Sequence, residues 1–376
     1  MKTRLLSFAA IAMTFFVLKG QEQNTEKAFR VYGFIKLNAT YDFRDLGGSD
    51  LFKPSSIPVP QVNPRNPDFF MSAKQSRVGL EFKKETGIGN VKAVLEVDFH
   101  DTATGIGGLA RIRHAYLQWK GLTVGQTWST FYDIQARPHI VDFEGANSST
   151  LNRAPLIRYE FEAGSTGTLA LAIENPAEQI TLTGDAQAEN LNMPDIIAAY
   201  KVRWNQDKDF LKFAALVRQL RFSTVDEPTN DETGWGVMLS GKLATFKKDN
   251  IKFQAVGGQG IARYIEGVRG LGYDGIFDET TNNLETLGIY GGFISYQIFW
   301  GTKWNSSLVL GTTRLEDNEL LAENDLKDSN YGSLNLFYEP IKSLSFGLEY
   351  LHGKRENIDG NSATANRVQM GAMLKF

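Results

Sequence analysis

Arg77, Arg111, Arg113 and Arg158, together with a mixed-sign set of Asp133, Asp142 and Glu144 against Arg137 and Arg153, are the side chains whose type and spacing could do chemistry in this sequence. A guanidinium cannot lose its charge, and its planar fork offers paired hydrogen bonds to a carboxylate. Lined along one wall of a water-filled space, such groups select small anions. The competing reading is internal neutralisation, in which Glu81, Glu96, Asp98 and Glu160 pair with the four wall arginines and leave no net preference. For the mixed-sign set the two readings are a transverse field across a constriction and an ordinary solvated loop.

Other chemistries find little support. There is no Cys, so disulfides, thiolate metal sites, cysteine nucleophiles and lipoprotein anchoring are excluded. His100, His114, His139 and His352 are scattered without metal spacing, and no metal or cofactor is expected. The glycine runs 105–108 and 257–260 lack the lysine and the strand-to-helix setting of a phosphate loop, and read as relief of crowding. Acidic stretches at 316–328 and 226–232 have no calcium-loop spacing and read as solvated surface. His100 with Ser72 or Ser76 is too thin a basis for a hydrolase, so no enzyme is expected.

The elements that must position the arginines are strands. Residues 29–42 set Val31, Ile35, Leu37 and Tyr41 on one face and Arg30, Lys36, Asn38 and Thr40 on the other, and 90–101 sets Val91, Ala93, Leu95, Val97 and Phe99 against Lys92, Glu96, Asp98 and His100. Residues 70–83 alternate likewise, with Gln75, Arg77 and Glu81 inward. Thirteen further candidates follow at 109–120, 121–130, 154–163, 167–176, 194–205, 209–222, 233–246, 250–264, 283–296, 303–314, 328–339, 343–356 and 363–376. In 109–120, Arg111 and Arg113 share the inward face, which leaves Ile112, His114 and Tyr116 outward. Short connections at 84–89, 164–167, 205–208, 247–249 and 340–342 alternate with long ones. About sixteen strands with short periplasmic turns and long outer loops describe an all-β fold, a single transmembrane antiparallel β-barrel. Closure satisfies the backbone groups that lipid cannot solvate. Trp119, Tyr200, Trp204, Phe299, Trp300, Tyr338 and Tyr350 lie near strand ends, where interfacial girdles are expected.

Both ends of the chain support export to an outer membrane. Lys2 and Arg4 precede an apolar run over 5–18, too short and too early for a membrane span, so 1–20 reads as a signal peptide, 21–28 as a short lead and 29–376 as the barrel. No other apolar run reaches helix-spanning length. Loss of Lys2, Arg4 and Lys19 takes the formal charge from −3 to −6, which argues against a nucleic-acid partner. The last strand places Val368, Met370, Ala372, Leu374 and the terminal Phe376 on one face, a pattern similar to the signal read by the outer-membrane assembly machinery.

Gly125-Gln126-Thr127-Trp128-Ser129-Thr130-Phe131, then Asp133, Pro138, Asp142-Phe143 and Ile157-Arg158-Tyr159, resemble in order the pattern of the DcaP-like outer-membrane porins. Ser76-Arg77-Val78-Gly79 and Arg113-His114-Ala115-Tyr116-Leu117 are similar to porin strands at the same places. The resemblance implies a channel for small hydrophilic solutes that favours small anions such as dicarboxylates, with the third loop folded into the pore. It also implies a homotrimer, although residues 21–28 leave no room for the coiled-coil segment that such porins carry ahead of the barrel. The alternative function is an outer-membrane adhesin or receptor that uses its outer loops, 43–69 and 263–282 among them, without selective transport.

Overall fold

The computed structural model describes residues 28–44, 46, 50–60, 66–100, 108–224 and 229–376. The expected signal peptide, most of the lead, residues 105–107 and residues 226–228 lie outside them. Sixteen antiparallel strands close into a barrel. They are β1 Phe29–Asp42; β2, in two pieces, Asp68–Ser72 and Arg77–Thr86; β3 Gly89–Asp98; β4 Arg111–Trp119; β5 Leu122–Trp128; β6 Arg153–Ala163; β7 Gly167–Glu174; and β8 Asp195–Trp204. The circuit continues with β9 Asp209–Ser223, β10 Asn230–Ala244, β11 Asn250–Gln259, β12 Gly288–Phe299, β13 Trp304–Leu315, β14 Leu326–Ile341, β15 Leu344–Asn357 and β16 Ser362–Lys375. Closure comes from β16 on β1, in a register that runs from Phe34 opposite Lys375 to Asp42 opposite Arg367.

Alternation sets the two surfaces. Val31, Ile35, Leu37, Leu95, Ile157, Leu171, Leu308, Leu310 and Met370 are exposed on the outside, where lipid replaces water, while Asn38, Thr40, Glu96, Asp98, Ser240, Gln254 and Gln369 are buried toward the lumen. Trp119, Tyr200, Trp204, Trp300 and Tyr350 are likewise exposed rather than packed in a core.

Three expectations shift. Residues 73–76 interrupt β2, because the Ser76 hydroxyl takes the β1 amide of Lys36 at 3.0 Å in place of a ladder bond. The strand expected over 250–264 stops at Gln259, and Gly260, with φ of +68°, turns the chain inward to a 3-10 turn at Ala262–Tyr264. Of the strand expected over 283–296, Asn283–Thr286 instead pairs with Gly275–Asp278, which also takes Ile180–Thr181, in a small sheet outside the barrel circuit.

The largest correction concerns facing. On β3, Glu96 is opposite His114 of β4 but the next residue, Val97, is opposite Ile112, so Arg113 is an extra residue in a β-bulge of β4. A bulge reverses the in-out parity beyond it. His114 is therefore buried and Tyr116 comes under the lumenal Lys92 ammonium, 6.0 Å from the ring centre, while Ile112 and Leu117 face out. The one awkward strand, whose outward face carried two polar rings, becomes an ordinary one.

Candidate functional site

Two outer loops fill much of the lumen. The sixth, 260–287, buries Ile261, Tyr264, Ile265 and Val268 against Leu216, Met238, Val256, Ile289 and Leu315 of the wall. A buried charge network fixes it: Arg218 of β9 reaches Asp274 at 2.9 Å and Asp195 at 3.6 Å, while Arg263 and Tyr264 bond Asp195 at 3.3 and 2.6 Å.

The third loop, 129–152, crosses the barrel and is held on several sides. Thr130 gives its amide to Glu174 of β7 at 2.6 Å, and Glu349 of β15 accepts the amides of Val141 and Asp142, both at 2.8 Å. Asn335 of β14 donates to the His139 carbonyl and Gln254 of β11 to that of Ser148. Lysines complete the frame. Lys36 donates to the Val141 carbonyl at 2.9 Å, Lys212 to that of Tyr132 at 2.6 Å and Lys252 to that of Arg137 at 2.8 Å. Gly347 and Gly371 leave room for Val141, whose methyls lie 2.5 and 2.9 Å from where a Cβ would stand, so larger residues there would push the loop off the wall.

The expected arginines gather on β2, β4 and β6. Arg77 meets Glu96 at 3.2 Å; Arg111 forks onto Asp98 through Nε at 3.0 Å and Nη2 at 2.9 Å; Arg113 reaches Glu96 at 3.2 Å and Asp98 at 2.6 Å. Arg153 stands 4.7 Å from the Trp128 ring centre, which Arg113 shares at 5.7 Å. Arg158 donates to the Trp128 carbonyl at 3.3 Å and stays 3.8 Å from Glu160. Internal neutralisation is therefore partial. Glu96 and Asp98 serve three guanidiniums between them, Glu81 pairs with Lys83 and Lys92, and among the described residues no carboxylate lies within 4.0 Å of Arg153. Arg111 keeps 32% of its side-chain surface exposed, against 2% for Arg113.

The mixed-sign loop set is arranged otherwise than expected. Asp133 pairs with Lys201 of β8 at 2.6 Å and caps the 3-10 turn Ile134–Ala136; Glu144 pairs with Lys53 of the first loop at 2.9 Å; Asp142 takes the amides of Glu144 and Gly145 and the Tyr331 hydroxyl. Arg137 donates to the Phe143 carbonyl at 2.7 Å. The acids thus anchor the loop instead of facing Arg137 and Arg153 across a gap, because buried carboxylates take the nearest donors that can satisfy them. Lys201, Lys212 and Lys252 escaped the sequence reading; their inward parity on β8, β9 and β11 was the available signal. His100 bonds Asp50 at 2.9 Å and stacks on Phe143, while the Ser76 hydroxyl is taken up by the Lys36 backbone.

Glu144 should also make the loop docking sensitive to pH. Burial and the nearby Glu266 of the sixth loop push its carboxyl well above the ordinary range, with Lys53 opposing. A carboxyl raised in this way lends its full stabilisation below the ordinary glutamate range and loses it as pH rises through the raised value. Acidification should tighten the docked loop and lower single-channel conductance, and Glu144→Gln should flatten that dependence. A variant as pH-sensitive as the wild type would assign the effect elsewhere.

Residues 20–376 match the family profile described as DcaP outer membrane protein. The chain belongs to the DcaP family. Among solved structures, the DcaP outer-membrane channel of Acinetobacter baumannii superposes with a TM-score of 0.83 at 24% identity, over 93% of this chain and 97% of that one. OmpT of Vibrio cholerae follows at TM-score 0.59 and 13% identity over 94% and 100%, and an anion-selective porin from Comamonas acidovorans at 0.59 and 11% over 93% and 99%. No curated protein sequence matches. This DcaP-family chain is an outer-membrane porin and not an enzyme.

Proposed function

We propose that the channel prefers small anions, dicarboxylates among them, over cations. The observation that carries this reading is that Arg77, Arg111, Arg113 and Arg153 gather around two carboxylates, Glu96 and Asp98, with no carboxylate within 4.0 Å of Arg153 among the described residues and with Arg111 partly solvated. A carboxylate arriving there finds fork-shaped donors already held in place by Glu96, Asp98 and Trp128. Residual charge of one sign in a narrow polar space is sufficient for ion selection.

Zero-current potentials across a salt gradient test the reading. The wild type should give an anion-selective reversal potential, and Arg153→Ala should move it toward zero. Cation selectivity in the wild type would overturn the proposal.

The adhesin reading loses its ground at the loops themselves. Tyr264, Tyr273 and Phe277 of the sixth loop and Phe52 and Ile57 of the first are buried rather than presented to a partner. Phe376 stays 55% exposed with its backbone paired to Gly33, which supports its role as the terminal signal to the assembly machinery. A homotrimer remains part of the proposal through the family.

A further inference from the structure

Beneath the third loop, on the side of the short turns, the wall of β6 to β9 encloses a cavity of about 210 Å³. Its charges do not balance. Arg203 donates to the Thr168 hydroxyl at 3.2 Å and Lys212 to the Tyr132 carbonyl at 2.6 Å, and among the described residues neither has a carboxylate within 4.0 Å. Arg158 has only Glu160, at 3.8 Å and with no hydrogen bond from its Nε. Lys201 is neutralised by Asp133 but is the cross-strand partner of Lys212, a like-charge pairing that costs stability unless an anion offsets it. The roof adds the buried Tyr132 hydroxyl, which has no hydrogen-bond partner among the described residues.

We propose that this alcove is a second anion station, separate from the arginines of β2 and β4, that holds a small dianion on the periplasmic side of the third loop. Three uncompensated cations against one loosely held carboxylate leave a deficit of two negative charges. The volume admits a ligand of a few heavy atoms and not a drug-sized one. Arg158 and Arg203 supply the forks, Lys212 the point charge, and the Tyr132 hydroxyl a neutral donor. A solute leaving the upper arginines would be received here before release, so the barrel would pass an anion between two stations. The proposal deepens the anion preference argued above and rests on it.

Single channels inserted in one orientation, with succinate, inorganic phosphate or butyrate added to one side, provide the test. Succinate on the periplasmic side should interrupt the current of the wild type, and Arg203→Ala should shorten those interruptions about tenfold, the loss expected for one charge-assisted contact. Arg203→Lys, which keeps the charge, should restore most of the dwell. Arg153→Ala should instead act chiefly on succinate added from the outer side. Heat-modifiable migration verifies that each barrel is folded, and Lys212→Met serves as a second variant with the same expected direction. Block by phosphate as well as succinate supports a general dianion site, and block by succinate alone a dicarboxylate site. Equal block by butyrate overturns the dianion assignment. An anion-selective reversal potential with Arg203→Ala and Lys212→Met dwell times equal to the wild type overturns the station alone; a cation-selective wild type overturns the anion preference on which it rests.

Discussion

Arg367→Ala should weaken the barrel by about 3–5 kcal/mol, the cost typical of removing one partner from a buried ion pair. Arg367 on β16 forks onto Asp42 of β1 at 2.6 and 2.8 Å, and both side chains are almost wholly buried across the seam that closes the sheet. The guanidinium also lies 5.6 Å from the ring centre of Phe52, so it holds the first loop against the wall. Truncation leaves the Asp42 carboxylate in place without that fork. The measurement is the urea or temperature midpoint of heat-modifiable migration. Replacing both partners with apolar residues should recover part of the loss, because it also removes the cost of keeping the Asp42 carboxylate out of water. An unchanged midpoint for Arg367→Ala would show that the seam is held by its backbone ladder alone.

Glu349→Ala should release the tip of the third loop and raise single-channel conductance. Glu349 is the acceptor for two consecutive loop amides, Val141 and Asp142, and is itself held by Gln369 at 3.0 Å. Hydrogen bonds to a charged group contribute about 1.5–3 kcal/mol each, so losing two shifts the docked-to-undocked ratio of the tip on the order of a hundredfold or more. Glu349→Gln keeps an acceptor oxygen in the same place and should have a smaller effect. Open-channel current and its noise report both. If Glu349→Ala conducts as the wild type does, the lysine contacts from Lys36, Lys212 and Lys252 suffice to hold the loop.

These two expectations differ in how far they were legible in the sequence. The seam was: period-two alternation through Val368, Met370, Ala372, Leu374 and Phe376 placed Arg367 and Gln369 inside, and closing a barrel pairs its final strand with its first. The docking of the third loop was legible only as a resemblance. Which acid would anchor it was not, since Glu349 is 207 residues from Asp142 in the chain and looks like any other inward-facing carboxylate.

The sequence by itself determined the closed all-β barrel, the inward and outward faces of most strands, the turn and loop sides, and the family, through the run from Gly125 to Tyr159. Those features are local: strand alternation has a period of two residues, and turn chemistry needs only a few. Tertiary structure alone decided the rest. A single bulge at Arg113 turned His114 and Tyr116 inward, because parity beyond a bulge depends on how the neighbouring strand registers and not on the strand's own residues. Charge partners were decided the same way. Asp133, Asp142 and Glu144 satisfy themselves with Lys201, Tyr331 and Lys53, groups brought near by closure, instead of pairing with the arginines of β2, β4 and β6.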